Sequence, residues 1–410
     1  MRIKMKRLSP WIGKSLLIFL SLLVILSPFI FVQIAIPSTV RVMDGNSWGN
    51  KWLQLDVKEN EWVTVNDTAI EQNSKIESTE IVQTAGVIKL WGIIPLKAVS
   101  LEVWPDKVLQ AGGSMVGIDL FTDGILVLGT GKVVTESGEE NSPARGILYA
   151  GDKIRKVNGE EVSTVEEVDT LIEGSSGETV RLEIDRDGEN KTVEVIPKMD
   201  SDGKPRIGIW IRDRAQGLGT LTFVDPETQI FGAVGHGISD VDTKELLPIH
   251  NGILSKAKVR HLVKGEVGSP GEVEGSLTGE IYGKITRNTE HGIYGIAEDE
   301  VATQGEYPIA LKNQVENGKA VILCDIIGET VEAYEVKVEK ASGIPTFNNG
   351  MVVTVTDERL LDATGGIIQG MSGSPVIQNG RIVGAVTHVF VKDPTKGYGV
   401  YIEDMLEAAG

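Results

Sequence analysis

Two glycine-framed segments hold residue types that could carry acyl-transfer chemistry. In Gly370-Met371-Ser372-Gly373-Ser374-Pro375-Val376 a serine stands between glycines. In Phe231-Gly232-Ala233-Val234-Gly235-His236-Gly237 a histidine follows an apolar run and is flanked by two more glycines. A serine hydroxyl becomes a nucleophile near neutral pH when an imidazole takes its proton, and the tetrahedral intermediate needs preorganised donors aimed at its oxyanion. Glycines at 370 and 373 leave room for the N–H groups of Gly370 and Ser372 to converge on one point, with Ser374 left to hydrogen-bond within the loop. Of the five histidines, His236 alone has the strand-and-glycine setting of a base, and His250, His261 and His291 are expected in solvent. The carboxylate that would hold the imidazole tautomer is open at this stage. Asp240 and Asp242 lie close to His236, Asp299 sits between Glu298 and Glu300, and Asp357 follows the alternating run Met351–Thr356.

The G-x-S-G-x-P pattern resembles the nucleophile loop of chymotrypsin-like serine peptidases. Gly384-Ala385-Val386-Thr387-His388 then resembles the strand after that loop, and Gly397–Ile402 the last strand, with a closing helix over Glu403–Ala409. In that order the base precedes the serine, which sets His388 aside for a core or surface role and puts Asp299 near the expected place of the acid. Met371 stands where trypsin-like enzymes carry the aspartate that receives a freed N-terminus, so activation of that kind is not expected.

These residues need rigid elements to hold them, and the rest of the chain reads as mostly β. From residue 205 on, apolar strands alternate with Gly-rich turns. Upstream, Gly151-Asp152-Lys153-Ile154-Arg155-Lys156-Val157-Asn158-Gly159 joins an alternating strand to a tight-turn signal. Ser163, with Glu166 three residues on, reads as a capping box opening a helix, and Val165, Val168, Leu171 and Ile172 share one face of it. A hairpin around Asp187-Gly188 follows. The order resembles a PDZ domain, spanning 111–200. That resemblance implies an extended peptide added as a strand beside the helix, its carboxylate cupped by Ser114, Met115, Val116 and Gly117. The competing reading fills the groove with this chain's own residues.

At the N-terminus, Arg2, Lys4, Lys6, Arg7 and Lys14 precede 22 uncharged, mostly apolar residues from Ser15 to Ile36. That length suits a membrane span better than the core of a cleaved signal peptide, with the basic flank on the cytoplasmic side. The expectation is a signal anchor over 1–38, a β-rich juxtamembrane region over 39–110, and everything after about residue 40 outside the cytoplasm. The 40 basic and 58 acidic side chains leave a charge of −18, which argues against a nucleic-acid partner. The one cysteine, Cys324, lies in an apolar run and allows neither an internal disulfide nor a cysteine-built metal site. No metal and no cofactor is expected.

With anchor, PDZ pattern, Leu90-Trp91-Gly92-Ile93-Ile94-Pro95-Leu96, Gly235-His236-Gly237 and Gly370–Pro375 in one chain, the sequence resembles the SpoIVB family of sporulation serine peptidases of endospore-forming Firmicutes. The resemblance covers nearly the whole chain. It implies a triad of His236, Asp357 and Ser372, the acid lying 15 residues before the serine. It also implies a regulatory peptidase in the space between forespore and mother-cell membranes. Such a peptidase would cleave itself and a regulator of the membrane metalloprotease that processes pro-sigma-K. The architecture expected is an anchor, a small β-region, a PDZ domain and a double β-barrel peptidase over 205–410. The rival from another class is a PDZ scaffold carrying an inactive peptidase-like domain.

Overall fold

A computed structural model describes residues 36–43, 53–62, 81–91, 93–240, 244–298, 301–341 and 350–410. The expected anchor falls almost entirely outside these residues, and among them no helix is long and apolar enough to cross a membrane. The chain divides into two compact units, one ending at Lys107 and one beginning at Val108. In the first, strands Thr39–Met43, Ile94–Trp104, Val82–Leu90 and Leu53–Trp62 lie side by side in that order, around a small core of Val40, Val42, Ile88, Val99 and Leu101.

In the second unit two strands of 16 residues each, Met115–Thr130 and Ile209–Val224, pair along most of their length. Their near-barrel halves belong to a ring of six strands. Met115–Thr130 pairs with Ile249–Val263, which pairs with Glu272–Thr289, then Gly292–Ala297, then Ile230–Ala233, which returns to Ile209–Val224. The alternation of side chains along a strand explains the core: Val116, Ile118 and Leu120 point inward with Leu221, Phe231, Leu254, Ile285 and Ile293.

The far halves of the same two strands belong to the PDZ module. Ile125 and Val127 pack with Ile154, Val157, Val168, Ile172, Leu182 and Ile207. The helix runs over Val165–Gly174, and its capping box is Thr164 with Glu167 rather than Ser163 with Glu166. Val168 and Ile172 are buried in the core, while Val165 and Leu171 lie at its edge. Asn158-Gly159 and Asp187-Gly188 each take positive φ at both positions, as two-residue hairpins require. The PDZ module is therefore inserted into the first barrel. Its expected start at residue 111 lies inside barrel structure, because Met115–Thr130 is one strand that serves both bodies, its inward face switching from Val116, Ile118 and Leu120 to Ile125 and Val127 across Asp123-Gly124.

The second barrel is closed by six strands in the order Gly318–Cys324, Glu332–Lys340, Met351–Val355, Lys396–Tyr401, Arg381–Val389 and Pro375–Gln378. Ile322, Val336, Val353, Val376, Val383 and Val386 fill it. A short helix, Glu358–Thr364, and the loop to Pro375 leave this barrel toward the first, and helix Ile402–Ala409 ends the chain.

Candidate active site between the barrels

The two glycine-framed loops meet across Thr220. Its N–H donates to the carbonyl of Ser372 (2.8 Å), and its own carbonyl accepts from Val234 N–H (3.1 Å), so one residue of the first barrel ties the serine loop to the histidine loop. The approach is so close that a side chain at Gly373 would place its Cβ 2.1 Å from the Thr220 carbonyl oxygen and 2.5 Å from Val234 N, and its φ is +99°. Just before His236, Val234 holds φ +70°, a costly conformation for a β-branched residue that local structure must impose.

Within the serine loop the backbone donors are unequally used. Met371 N–H bonds Ile368, Gly373 N–H bonds Val386, and Ser374 N–H bonds the Met371 carbonyl, whereas Gly370 and Ser372 N–H donate to no acceptor among the described residues. These are the two donors the sequence assigns to an oxyanion. Ser374 is fully buried, its hydroxyl donating to Met371 O at 2.7 Å, the internal role expected of it. The Ser372 hydroxyl donates to the Thr387 carbonyl at 2.5 Å.

His236 and Thr387 line one cavity of about 360 Å³ with His388, His291, Glu290, Ser239 and Lys244. Gly235 packs its Cα against this wall, since a Cβ there would lie 3.2 Å from Thr387 Cγ2. The His236 Nδ1 faces the Gly237 carbonyl at 2.9 Å, and its ring lies against that of His388, centroids 4.2 Å apart and tilted by 32°. Burial, and then the neighbouring His388, hold its pKa down at about 4, so the imidazole is neutral near pH 7, the form a general base needs. Burial lowers the His388 value as well.

Of the candidate acids, Asp357 and Asp240 lie among the described residues, and neither has its carboxylate bonded to this base. Asp357 caps helix Glu358–Thr364. Its Oδ1 accepts from Arg359 N (3.0 Å) and Nε (3.1 Å), and its Oδ2 from Glu335 N (3.2 Å) and Arg359 Nη2 (3.0 Å). The Arg359 guanidinium keeps this carboxyl below the usual carboxylate range. Asp240 is buried and paired with Arg212. Asp242 and Asp299 lie outside the described residues. His250 and His261 are in solvent, as expected, but His291 is not. Its Nδ1 is buried without a hydrogen-bond partner among the described residues, and it lines the His236 cavity from the turn before Gly292–Ala297. His388, set aside in the sequence, stacks on the base. Its position next to Thr387, on the strand that follows the serine, was the available signal.

The expected carboxylate cup is also corrected. Met115–Gly117 is a barrel strand and not a loop: Met115 pairs with Thr220, Val116 with Gly219 and Gly117 with Leu218. Ser114 is buried, its carbonyl accepts from Leu221 N–H (3.0 Å), and Met115 N–H is spent on Asp325 Oδ1 (2.9 Å). No carboxylate can be cupped there. Cys324 is buried and its thiol is pushed up to about 12, so it is no nucleophile. Among the described residues no group of side chains is placed to hold a metal ion.

Residues 203–406 match the family model described as SpoIVB peptidase S55, and residues 134–186 match a PDZ domain model. A curated protein of Lactococcus lactis subsp. lactis named "Putative zinc metalloprotease LL2128" is 43% identical over 72 residues, so the chain spans 17% of that relative's length and 17% of its own. The PDZ domain of an SdrC-like protein from Listeria innocua is 29% identical, covering 22% of this chain and 94% of that one, with a TM-score of 0.19. The active form of a protease from M. tuberculosis is 12% identical, covering 48% and 75%, with a TM-score of 0.26.

Proposed function

The chain belongs to the SpoIVB peptidase family S55, and from that premise we propose that it is a regulatory serine endopeptidase that cuts itself and a membrane-associated regulatory protein. Its peptidase domain is of the serine type. The observation that carries the proposal is the serine loop: Ser372 stands beside the His236 cavity wall with the N–H groups of Gly370 and Ser372 unspent. In this reading His236 removes the Ser372 proton as the hydroxyl attacks a peptide carbonyl. The two N–H groups take the oxyanion, and the imidazolium returns the proton to the leaving amine. The family premise and the basic, apolar N-terminus support an extracytoplasmic site of action during sporulation, on a regulator of the metalloprotease that processes pro-sigma-K.

The PDZ module supplies a place to hold a peptide. With Met115–Gly117 taken up by the barrel, the edge left for strand addition is that of Ile209–Arg212. This stretch pairs on one side with Leu126–Thr130, and the helix N-terminus reaches it through Val165 N–H and Asp213 Oδ2 (3.0 Å). Along the same strand, Thr220 holds the serine loop.

The test is labelling of the full-length chain, in detergent, with a fluorophosphonate. Wild type is expected to label at Ser372 and Ser372→Ala to stay dark. Absence of labelling in folded wild-type protein would favour the PDZ scaffold with an inactive peptidase-like domain.

A further inference from the structure

Five consecutive carbonyls of the serine loop are each held by a donor. Gln369 O accepts from Val273 N–H (3.0 Å), Gly370 O from Thr220 Oγ1 (2.9 Å) and Met371 O from Ser374 Oγ (2.7 Å). Ser372 O accepts from Thr220 N–H (2.8 Å) and Gly373 O from Thr222 Oγ1 (2.8 Å). In a planar trans peptide the N–H points opposite to the carbonyl before it. Fixing Gln369 O therefore aims Gly370 N–H, and fixing Met371 O aims Ser372 N–H. The peptide between these two donor-bearing planes is the one whose carbonyl Thr220 holds through its hydroxyl, and its angle sets how the two donors converge. Both threonine side chains are buried, so neither carbonyl has water to turn to.

We propose that Thr220 and Thr222 are positioning residues for the oxyanion hole: their hydroxyls lock the serine loop in the form whose Gly370 and Ser372 N–H groups face the reacting carbonyl. The proposal rests on the serine-peptidase reading above. Without the Thr220 hydroxyl, the Gly370 carbonyl is buried and unpaired, and the peptide can rotate to find another donor. That rotation swings the loop out of its donor geometry without touching the base or the nucleophile. Both hydroxyls come from the strand whose other end borders the PDZ helix, so a shift of that strand would move the donors directly.

The experiment compares Thr220→Val, Thr220→Ser, Thr222→Val and Ser372→Ala in the full-length chain, measuring the fluorophosphonate labelling rate, its pH dependence and the melting temperature. Because losing one oxyanion donor costs about 100- to 1000-fold, a misaimed pair is expected to lower the rate about 10- to 100-fold in Thr220→Val. Thr220→Ser should recover to within about threefold, and the pH at half-maximal rate should not move, since His236 is untouched. A purely structural role would lower the melting temperature and leave the rate of the folded protein near wild type. If Thr220→Val does not fold, Thr222→Val decides by the same criterion. Folded valine variants that label within twofold of wild type overturn the proposal while Ser372→Ala stays dark. If Ser372→Ala labels as wild type does, the serine-peptidase reading fails first.

Discussion

Ser372 gives its hydroxyl proton to the carbonyl of Thr387, the residue just before His388, instead of to the imidazole of His236. The nucleophile is thus parked on the wall of its own cavity. In the proposed reaction the hydroxyl leaves this carbonyl for the base, and catalytic hydrogen bonds often align only when substrate is bound. The Thr387 carbonyl competes with His236 for that proton. A substrate whose own N–H takes that carbonyl would release the hydroxyl.

The two serines of the loop should separate cleanly. Ser372→Ala removes the attacking oxygen, and self-cleavage should fall by several orders of magnitude. Ser374→Ala removes one of two donors to the Met371 carbonyl, the other being its own N–H at 3.0 Å. Self-cleavage should then drop only about 3- to 10-fold, since one of the paired bonds survives. Gel assays of self-cleavage in the two variants check this, and equal losses would contradict the assignment.

The pH behaviour follows from His236. Its folded value of about 4 lies below its ordinary 6.5. Neutral imidazole therefore persists well into acid, and the acid limb of the labelling rate should be centred near 4. For stability the sign is the usual one for a depressed group. Its contribution is fully present above pH 6.5 and is lost as pH falls through 4, because the unfolded chain binds the proton first. His388→Phe keeps a ring against His236 but removes its charge. The acid limb should move upward yet stay below 6.5, because burial remains the larger cause. An unmoved limb would show that His388 does not act on the base.

Much of this was legible from residues. The serine loop, the His236 loop and the last strand are marked by glycines that the backbone needs, and Gly373 shows why: any side chain there collides with Thr220 and Val234. The PDZ hairpins were legible because Asn158-Gly159 and Asp187-Gly188 encode turn geometry locally. The insertion of the PDZ module into the barrel was not. One strand, Met115–Thr130, serves both bodies, and Asp123-Gly124, where its partner changes from Ile249–Val263 to Lys153–Val157, reads in sequence as a turn between two strands and not as a bend within one. The roles of Thr220 and Thr222 were invisible as well, since their hydroxyls act on residues 150 and 151 positions away.

Asp357 offers a direct test of whether a carboxylate must sit at the base. Asparagine is as good an N-cap as aspartate, so Asp357→Asn keeps the helix cap on Arg359 N–H and loses the ion pair with the Arg359 side chain. Melting temperature should fall slightly at neutral pH. The difference from wild type should vanish in acid, as the lowered Asp357 group protonates. Labelling by folded protein should stay within about tenfold of wild type. A triad acid replaced by its amide costs about 10,000-fold, and a loss of that size would place Asp357 at His236 in the reacting state.

The peptide-binding edge is checked by hydrogen exchange. If Ser114–Gly117 formed a carboxylate cup, its amides would be open to water in the free protein. In the barrel they are not: Met115 N–H is held by Asp325, and Val116 and Gly117 lie between Ile209–Val224 on one side and Ile249–Val263 on the other. Exchange there should track global unfolding, far slower than at exposed amides. Among the described residues Ile209–Arg212 has a strand partner on one side only, so its outward amides should exchange faster and become protected when a peptide is added as a strand. Gly117→Leu should report on the barrel and not on the groove, because its Cβ would lie 2.0 Å from Leu277 Cδ2 on the neighbouring hairpin. Slow exchange at Met115–Gly117 with fast exchange at 209–212 supports the reassigned edge, and the reverse pattern returns the cup to its sequence-expected place.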